Sequence, residues 1–169
     1  MAEAKKTQLA IIGAGPGGYA AAFKAAELGL QVTLIDPAET PGGVCLYRGC
    51  IPSKALLHAA RLIDESREAK EIGLAFAAPQ VDIDRLRDWK NEVIGQLTNG
   101  LKVKAEKQKI EHLRGMARFI DNRTLEVQLN DGSEVRLAFE QAILATGSRP
   151  TLLPGVTTSD RILDSTGAL

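Results

Sequence analysis

The sequence predicts an α/β fold: a parallel sheet flanked by helices, with a small antiparallel β-meander inserted before the last parallel strand. Three observations carry that expectation. The apolar run Leu9–Ile12 leads into the glycine-rich Gly13-Ala-Gly15-Pro-Gly-Gly18, then an alanine-rich stretch and a second apolar run, Val32–Ile35. Short apolar runs of this kind suit strands buried on both faces. Further on, Thr124–Leu129 and Ser133–Ala138 alternate in polarity around Asn130-Asp-Gly132, which reads as an antiparallel hairpin. A third apolar run, Ala142–Ala145, has the length of another buried strand.

Taken in order, Leu9–Ile12 forms the first strand and the glycines the turn after it. Gly13 permits the tight turn, Gly15 lets backbone approach a pyrophosphate, and Gly18 allows close helix–strand contact. Tyr19–Leu28 is helical by composition and ends at Gly29. The second strand ends in Asp36, 18 positions past Gly18, where a partner for a ribose hydroxyl is expected. Strand, glycines, helix, strand and acid in this register predict a Rossmann-type dinucleotide-binding unit, and leave open which dinucleotide. Ser53 is placed to cap a helix running to about Ile72, with Leu56, Ala60 and Ile63 on one face. Residues 75–80 form a loop. From Asp82, Ile83, Leu86, Trp89, Val93, Leu97 and Leu101 recur at helical spacing, giving a long amphipathic helix weakened by Gly95 and Gly100. Ile110–Leu113 reads as a strand. The expected domain is residues 1–150, with 151–169 a linker.

The two cysteines, Cys45 and Cys50, lie five residues apart in Gly42-Gly-Val-Cys-Leu-Tyr-Arg-Gly-Cys-Ile-Pro-Ser-Lys-Ala-Leu-Leu-His58. As a structural staple so short a loop is worth only roughly 2 kcal/mol. Two buried thiols are the bland alternative, and one cysteine pair falls short of a four-ligand metal site. On a regular helix their Cα atoms would be roughly 8.6 Å apart, whereas a disulfide wants at most about 7 Å. If they bond, the segment between them is not regular helix, and Gly49 and Pro52 are suited to such a distortion.

This segment closely resembles the redox-active stretch of the pyridine nucleotide–disulfide oxidoreductases. Its ending, Ile-Pro-Ser-Lys-Ala-Leu-Leu, is similar to the dihydrolipoamide dehydrogenase branch, where glutathione and trypanothione reductases usually continue Val-Pro-Lys-Lys. Val44 and Tyr47 depart from the common Thr and Asn; the first removes a hydroxyl that could contact the cofactor pyrophosphate. The resemblance extends over residues 7–169. It implies that the first glycine fingerprint holds FAD, that Cys45 is the interchange thiol meeting substrate, and that Cys50 is the charge-transfer thiol facing the flavin. It implies cofactor contacts from Gly13, Gly15, Gly18, Asp36, Pro37, Gly42, Gly43, Val44, Cys45 and Lys54. Ala117, in Gly115-Met-Ala-Arg-Phe119, matches an adenine-contacting alanine, and Thr146, Gly147 and Ser148 match a stretch near the flavin. His58 reads as structural.

Equal numbers of basic and acidic residues, 21 each, give no surplus pointing to nucleic acid or an anionic membrane. No apolar run reaches the roughly 20 residues that span a bilayer. Lys5 and Lys6 precede an apolar run as in a signal peptide, but Gly13–Gly18 is a poor apolar core for one, so a cytoplasmic protein is expected. The resemblance further implies a longer parent. After Leu169 a second glycine fingerprint for NAD, a further FAD-contacting segment and a C-terminal interface domain with a His–Glu pair are expected. That parent would be a homodimer oxidising dihydrolipoamide, with the lipoyl groups of 2-oxo acid dehydrogenase complexes as partners. The alternatives are a related reductase of the glutathione or mercuric type, or a stand-alone flavin- or nucleotide-binding module without turnover.

Overall fold

The computed structural model describes residues 5–169. The elements run β1 (Lys5–Ile12), α1 (Pro16–Glu27), β2 (Val32–Ile35), α2 (Gly43–Arg48), α3 (Cys50–Glu68), a 3-10 turn (Ala69–Ile72), α4 (Ile83–Lys107), β3 (Glu111–Leu113), β4 (Gly115–Phe119), β5 (Thr124–Leu129) and β6 (Glu134–Leu144). They fall into two compact units, one of residues up to Cys45 with Thr98–Arg149, the other of Leu46–Leu97 with Pro150–Leu169.

The first unit holds a six-stranded sheet in the order β3-β2-β1-β6-β5-β4. β3, β2, β1 and β6 are parallel, and β6, β5 and β4 form the antiparallel meander. The predicted α/β class and meander are therefore present. Their junction differs from expectation: the hairpin's second arm and the last parallel strand are one continuous strand. β6 pairs with β5 through Thr124↔Ala138 to Gln128↔Glu134, and with β1 through Lys5↔Leu137 to Ile12↔Leu144. No turn residue separates Ala138 from Ala142, so nothing in the chain breaks the strand between its two partners. The stretch Ala142–Ala145 is also less buried than expected. Beyond Ala138 only β1 flanks β6, and Leu144 is 65% exposed.

Period-2 alternation sorts the sheet's side chains onto two faces. Leu9, Ile11, Val32 and Leu34 pack with Ala22, Phe23 and Ala25 of α1 and Ala105 at the end of α4. Small residues on α1 let it lie close to the sheet. On the other face Ala10, Ile35 and Leu113 pack with Leu125, Val127, Leu137 and Phe139, so the meander covers the parallel strands. Phe119 meets Phe139 edge to face at 5.9 Å.

The second unit is built on α3 and the first part of α4. α4 begins as predicted: the carboxylate of Asp82 accepts from the amides of Asp84 (3.1 Å) and Arg85 (2.9 Å), two of the donors a helix leaves unpaired. Ser53, by contrast, is not the cap of α3. The helix starts three residues earlier, after Gly49, and the Ser53 hydroxyl donates to the Cys50 carbonyl at 3.1 Å. Gly49, at φ −149° and ψ −114°, interrupts the helical path between α2 and α3. The helix closes through the 3-10 turn onto left-handed Gly73. His58 stacks at 6.2 Å on Trp89, a packing role.

Candidate functional site

The glycine turn is held by contacts that only glycine permits. Gly13 has φ +103°, and a Cβ there would lie 2.1 Å from the Ala145 carbonyl oxygen. A Cβ on Gly18 would lie 1.7 Å from the carbonyl oxygen of Gly13. α1 thus meets the C-terminal end of β1 backbone to backbone. Gly15 precedes α1 and differs from its neighbours. Its φ is an ordinary −72°, and an added Cβ would meet only the Cα of Gly43, at 3.8 Å. No side chain caps the amino end of α1, and Pro16 at its start has no N–H to satisfy. The other first-turn amides lie at the positive end of the helix dipole with no side-chain cap.

Asp36 sits at the mouth of that turn. Its Oδ2 accepts from the Ala14 amide at 2.8 Å and its Oδ1 from the Ala38 amide at 2.9 Å. The Ala14 carbonyl accepts in turn from the Gly42 amide at 2.9 Å. Gly43, at φ +63°, lies so close to Gly15 that a Cβ would be 2.4 Å from its Cα. Two stretches far apart in sequence, residues 13–18 and 36–43, are so locked together. Pro37 lies in the second, its carbonyl accepting from the Asn130 side-chain amide at 2.8 Å. Val44 follows, 47% exposed.

Cys45, partly exposed, lies within α2; Cys50, exposed, is the first residue of α3. Both are thiols, with no disulfide between them. Cys50 and Lys54 belong to the second unit, Lys54 lying exposed in the first turn of α3. In the first unit Ala117 is half-buried in β4, and Thr146, Gly147 and Ser148 are exposed just after β6.

Sequence reasoning missed three participants. Ala14 and Ala145 act through backbone groups, which no side-chain pattern reveals. His112, on β3, is the third. Burial holds its imidazole below the ordinary value of 6.5, against the opposing charge and backbone hydrogen bond of Asp36 and with the help of Arg114. Its buried Nε2 has no hydrogen-bond partner. It lines a cavity of about 430 Å³ with Leu113, Arg114, Leu129, Asn130 and Asp131. Among the described residues no cluster of three or more His, Cys, Asp or Glu is set to hold a metal ion, and no helix is long and apolar enough to cross a membrane.

A family profile described as pyridine nucleotide-disulphide oxidoreductase matches residues 7–169. The chain belongs to that family. Among curated members of the pyridine nucleotide-disulphide oxidoreductases, it is 45% identical to dihydrolipoyl dehydrogenase of Haemophilus influenzae and 47% identical to that of Vibrio cholerae, each over 170 residues. Both alignments take in 100% of this chain and 36% of the relative, so the chain spans about a third of their length. Among solved structures it is similar to the Cu(II) complex of HOCl-induced flavoprotein disulfide reductase RclA from Escherichia coli, with a TM-score of 0.79 and 31% identity over 97% of this chain and 34% of that one. The six-stranded sheet is thus the fold of a flavoprotein disulfide reductase of this family.

Proposed function

We propose that this chain is the FAD-binding, redox-disulfide portion of a dihydrolipoamide dehydrogenase, comprising a binding domain of residues 1–150 and a linker of 151–169. The observation that carries the reading is the meeting of the uncapped α1 amino end, Gly15 and the Asp36 carboxylate. The α1 amides would bind a diphosphate. Asp36, whose oxygens each keep a lone pair beyond the bonds to Ala14 and Ala38, would take ribose hydroxyls. Pro37, Gly42, Gly43, Val44 and Ala117 would line the adenosine and diphosphate half. Cys45, Lys54 and Thr146–Ser148 would serve the flavin half. Bound FAD would supply two-electron chemistry, passing electrons to NAD in the longer enzyme.

Cys45 and Cys50 would carry the dithiol step. Dihydrolipoamide attacks their disulfide, its two thiols become the lipoamide disulfide, and the cysteines are left as thiols. One S–S bond breaks and one forms. The longer enzyme would be a cytoplasmic homodimer serving lipoyl groups of 2-oxo acid dehydrogenase complexes. A second reading, a reductase of another disulfide or of a metal ion, draws support from the likeness to the Cu(II)-bound flavoprotein disulfide reductase.

The test is to titrate the 169-residue chain with FAD and then assay dihydrolipoamide oxidation with NAD⁺. Saturable binding weak enough to be lost on gel filtration is expected, with no turnover. Flavin retained through gel filtration would contradict the expected weakness. Turnover would contradict the reading of this chain as one portion of the catalytic unit.

A further inference from the structure

The hydrogen bonds around Asp36 reach further than a ribose. We propose that Asp36 is also the positioning residue for the Cys45 segment, which it holds through Ala14 and Gly42. One carboxylate ties both ends of the loop that leads from β2 to α2. At the near end Oδ1 accepts from Ala38; at the far end Oδ2 accepts from Ala14, whose own carbonyl accepts from Gly42. Three residues after Gly42 comes Cys45, in the same compact unit.

The anchor itself is fixed. The Asp36 amide donates to the Leu113 carbonyl at 3.2 Å, and its carbonyl accepts from the Gly115 amide at 3.1 Å. Nor can water readily replace the relay. Ala14 is 0% exposed, and Pro41 and Gly42 are buried. Without the carboxylate, the Ala14 amide would be left unpaired inside the protein, so the turn must shift to satisfy it. Because Gly43 lies against Gly15, any such shift is passed to the start of α2. The inference requires only these bonds, and it stands or falls separately from the reading of the site as an FAD site.

The experiment measures alkylation of Cys45 and Cys50 by iodoacetamide, each quantified by mass spectrometry, in the 169-residue chain and in Asp36→Ala, Asp36→Asn and Asp36→Glu. Amide hydrogen exchange at Gly42 is followed in parallel, since it is indifferent to thiol ionisation. Two charge-assisted bonds are lost in Asp36→Ala, so Cys45 alkylation and Gly42 exchange should each rise about tenfold or more. Cys50 should stay within about twofold, because it lies outside the restrained loop. Asp36→Asn, which keeps one acceptor oxygen, should fall between, and Asp36→Glu should return both rates towards wild type. Should Asp36→Ala not fold, the Asn and Glu variants carry the same comparison. Unchanged Cys45 and Gly42 rates, equal acceleration of both cysteines, or no rescue by glutamate would each overturn the proposal.

Discussion

Gly17 and Gly18 are adjacent, both lie in the first turn of α1, and their replacement by alanine should act in opposite directions. At Gly18 the new Cβ would be 1.7 Å from the Gly13 carbonyl oxygen, with the Ala145 Cβ at 3.5 Å on another side. The obstructing atom is backbone, and Gly13 is held by its own amide bond to the Ile35 carbonyl at 2.8 Å. Relief requires α1 to move off the sheet, disturbing its packing on Leu9, Ile11, Val32 and Leu34. The cost belongs at the upper end of overpacking, about 3 kcal/mol. For a chain of this size that is a drop in Tm on the order of 6–12 °C. At Gly17 the Cβ would meet only the Ala145 Cβ, at 3.9 Å, an ordinary contact. There alanine should be neutral or stabilise by up to about 0.5–1 kcal/mol through reduced freedom of the unfolded chain. Urea unfolding of the two variants side by side is the assay. A Gly18→Ala chain within about 1 kcal/mol of wild type would refute the backbone-contact argument. Equal destabilisation by both variants would refute it too.

Three further outcomes are expected. Asp82→Ala should cost about 1 kcal/mol in urea unfolding through loss of the α4 cap, with Asp82→Ser recovering most of it; no recovery would argue against capping. Gly95→Ala, in the exposed middle of α4 with nothing within 4 Å of its added methyl, should stabilise by up to about 1 kcal/mol, and a loss would point to an unseen contact. His112 has its folded pKa lowered chiefly by burial, so the unfolded chain binds the proton more readily. Its contribution is therefore full above about pH 6.5 and is lost as pH falls below that. Stability of wild type should drop more steeply between pH 7 and 5 than that of His112→Gln; parallel profiles would contradict the burial of the imidazole.

Much of this was legible in the chain, and the reason is local. Gly13 and Gly18 announce themselves because the backbone contact each makes depends on glycine at a set distance from a strand end. The misreadings came where tertiary partners decide. Ser53 has the chemistry of a cap, yet the helix begins at Cys50, because Gly49 supplies the backbone break four residues earlier. Ala138 and Ala142 look like the end of one strand and the start of another. They are one strand because β5 claims its first part and β1 its length. The lock between Gly15 and Gly43, and the relay from Asp36 through Ala14 to Gly42, run through main-chain atoms that no sequence pattern displays. His112 gave no signal at all, since its role depends on burial beside Asp36.

The proposed function rests on the amino end of α1 at Gly15 being the seat of a diphosphate, and one titration addresses it. Gly15→Ala keeps an allowed φ of −72° and adds a methyl 3.8 Å from Gly43, so the fold should be retained, as circular dichroism would verify. That methyl would occupy the approach to the α1 amides. Titration with FAD, followed by quenching of flavin fluorescence, should give saturable binding to the wild-type chain and binding weakened at least about tenfold in Gly15→Ala, the loss expected when two or more hydrogen bonds to a phosphate are withdrawn. Equal affinity in the two folded chains, or no binding by the wild type, would contradict the account.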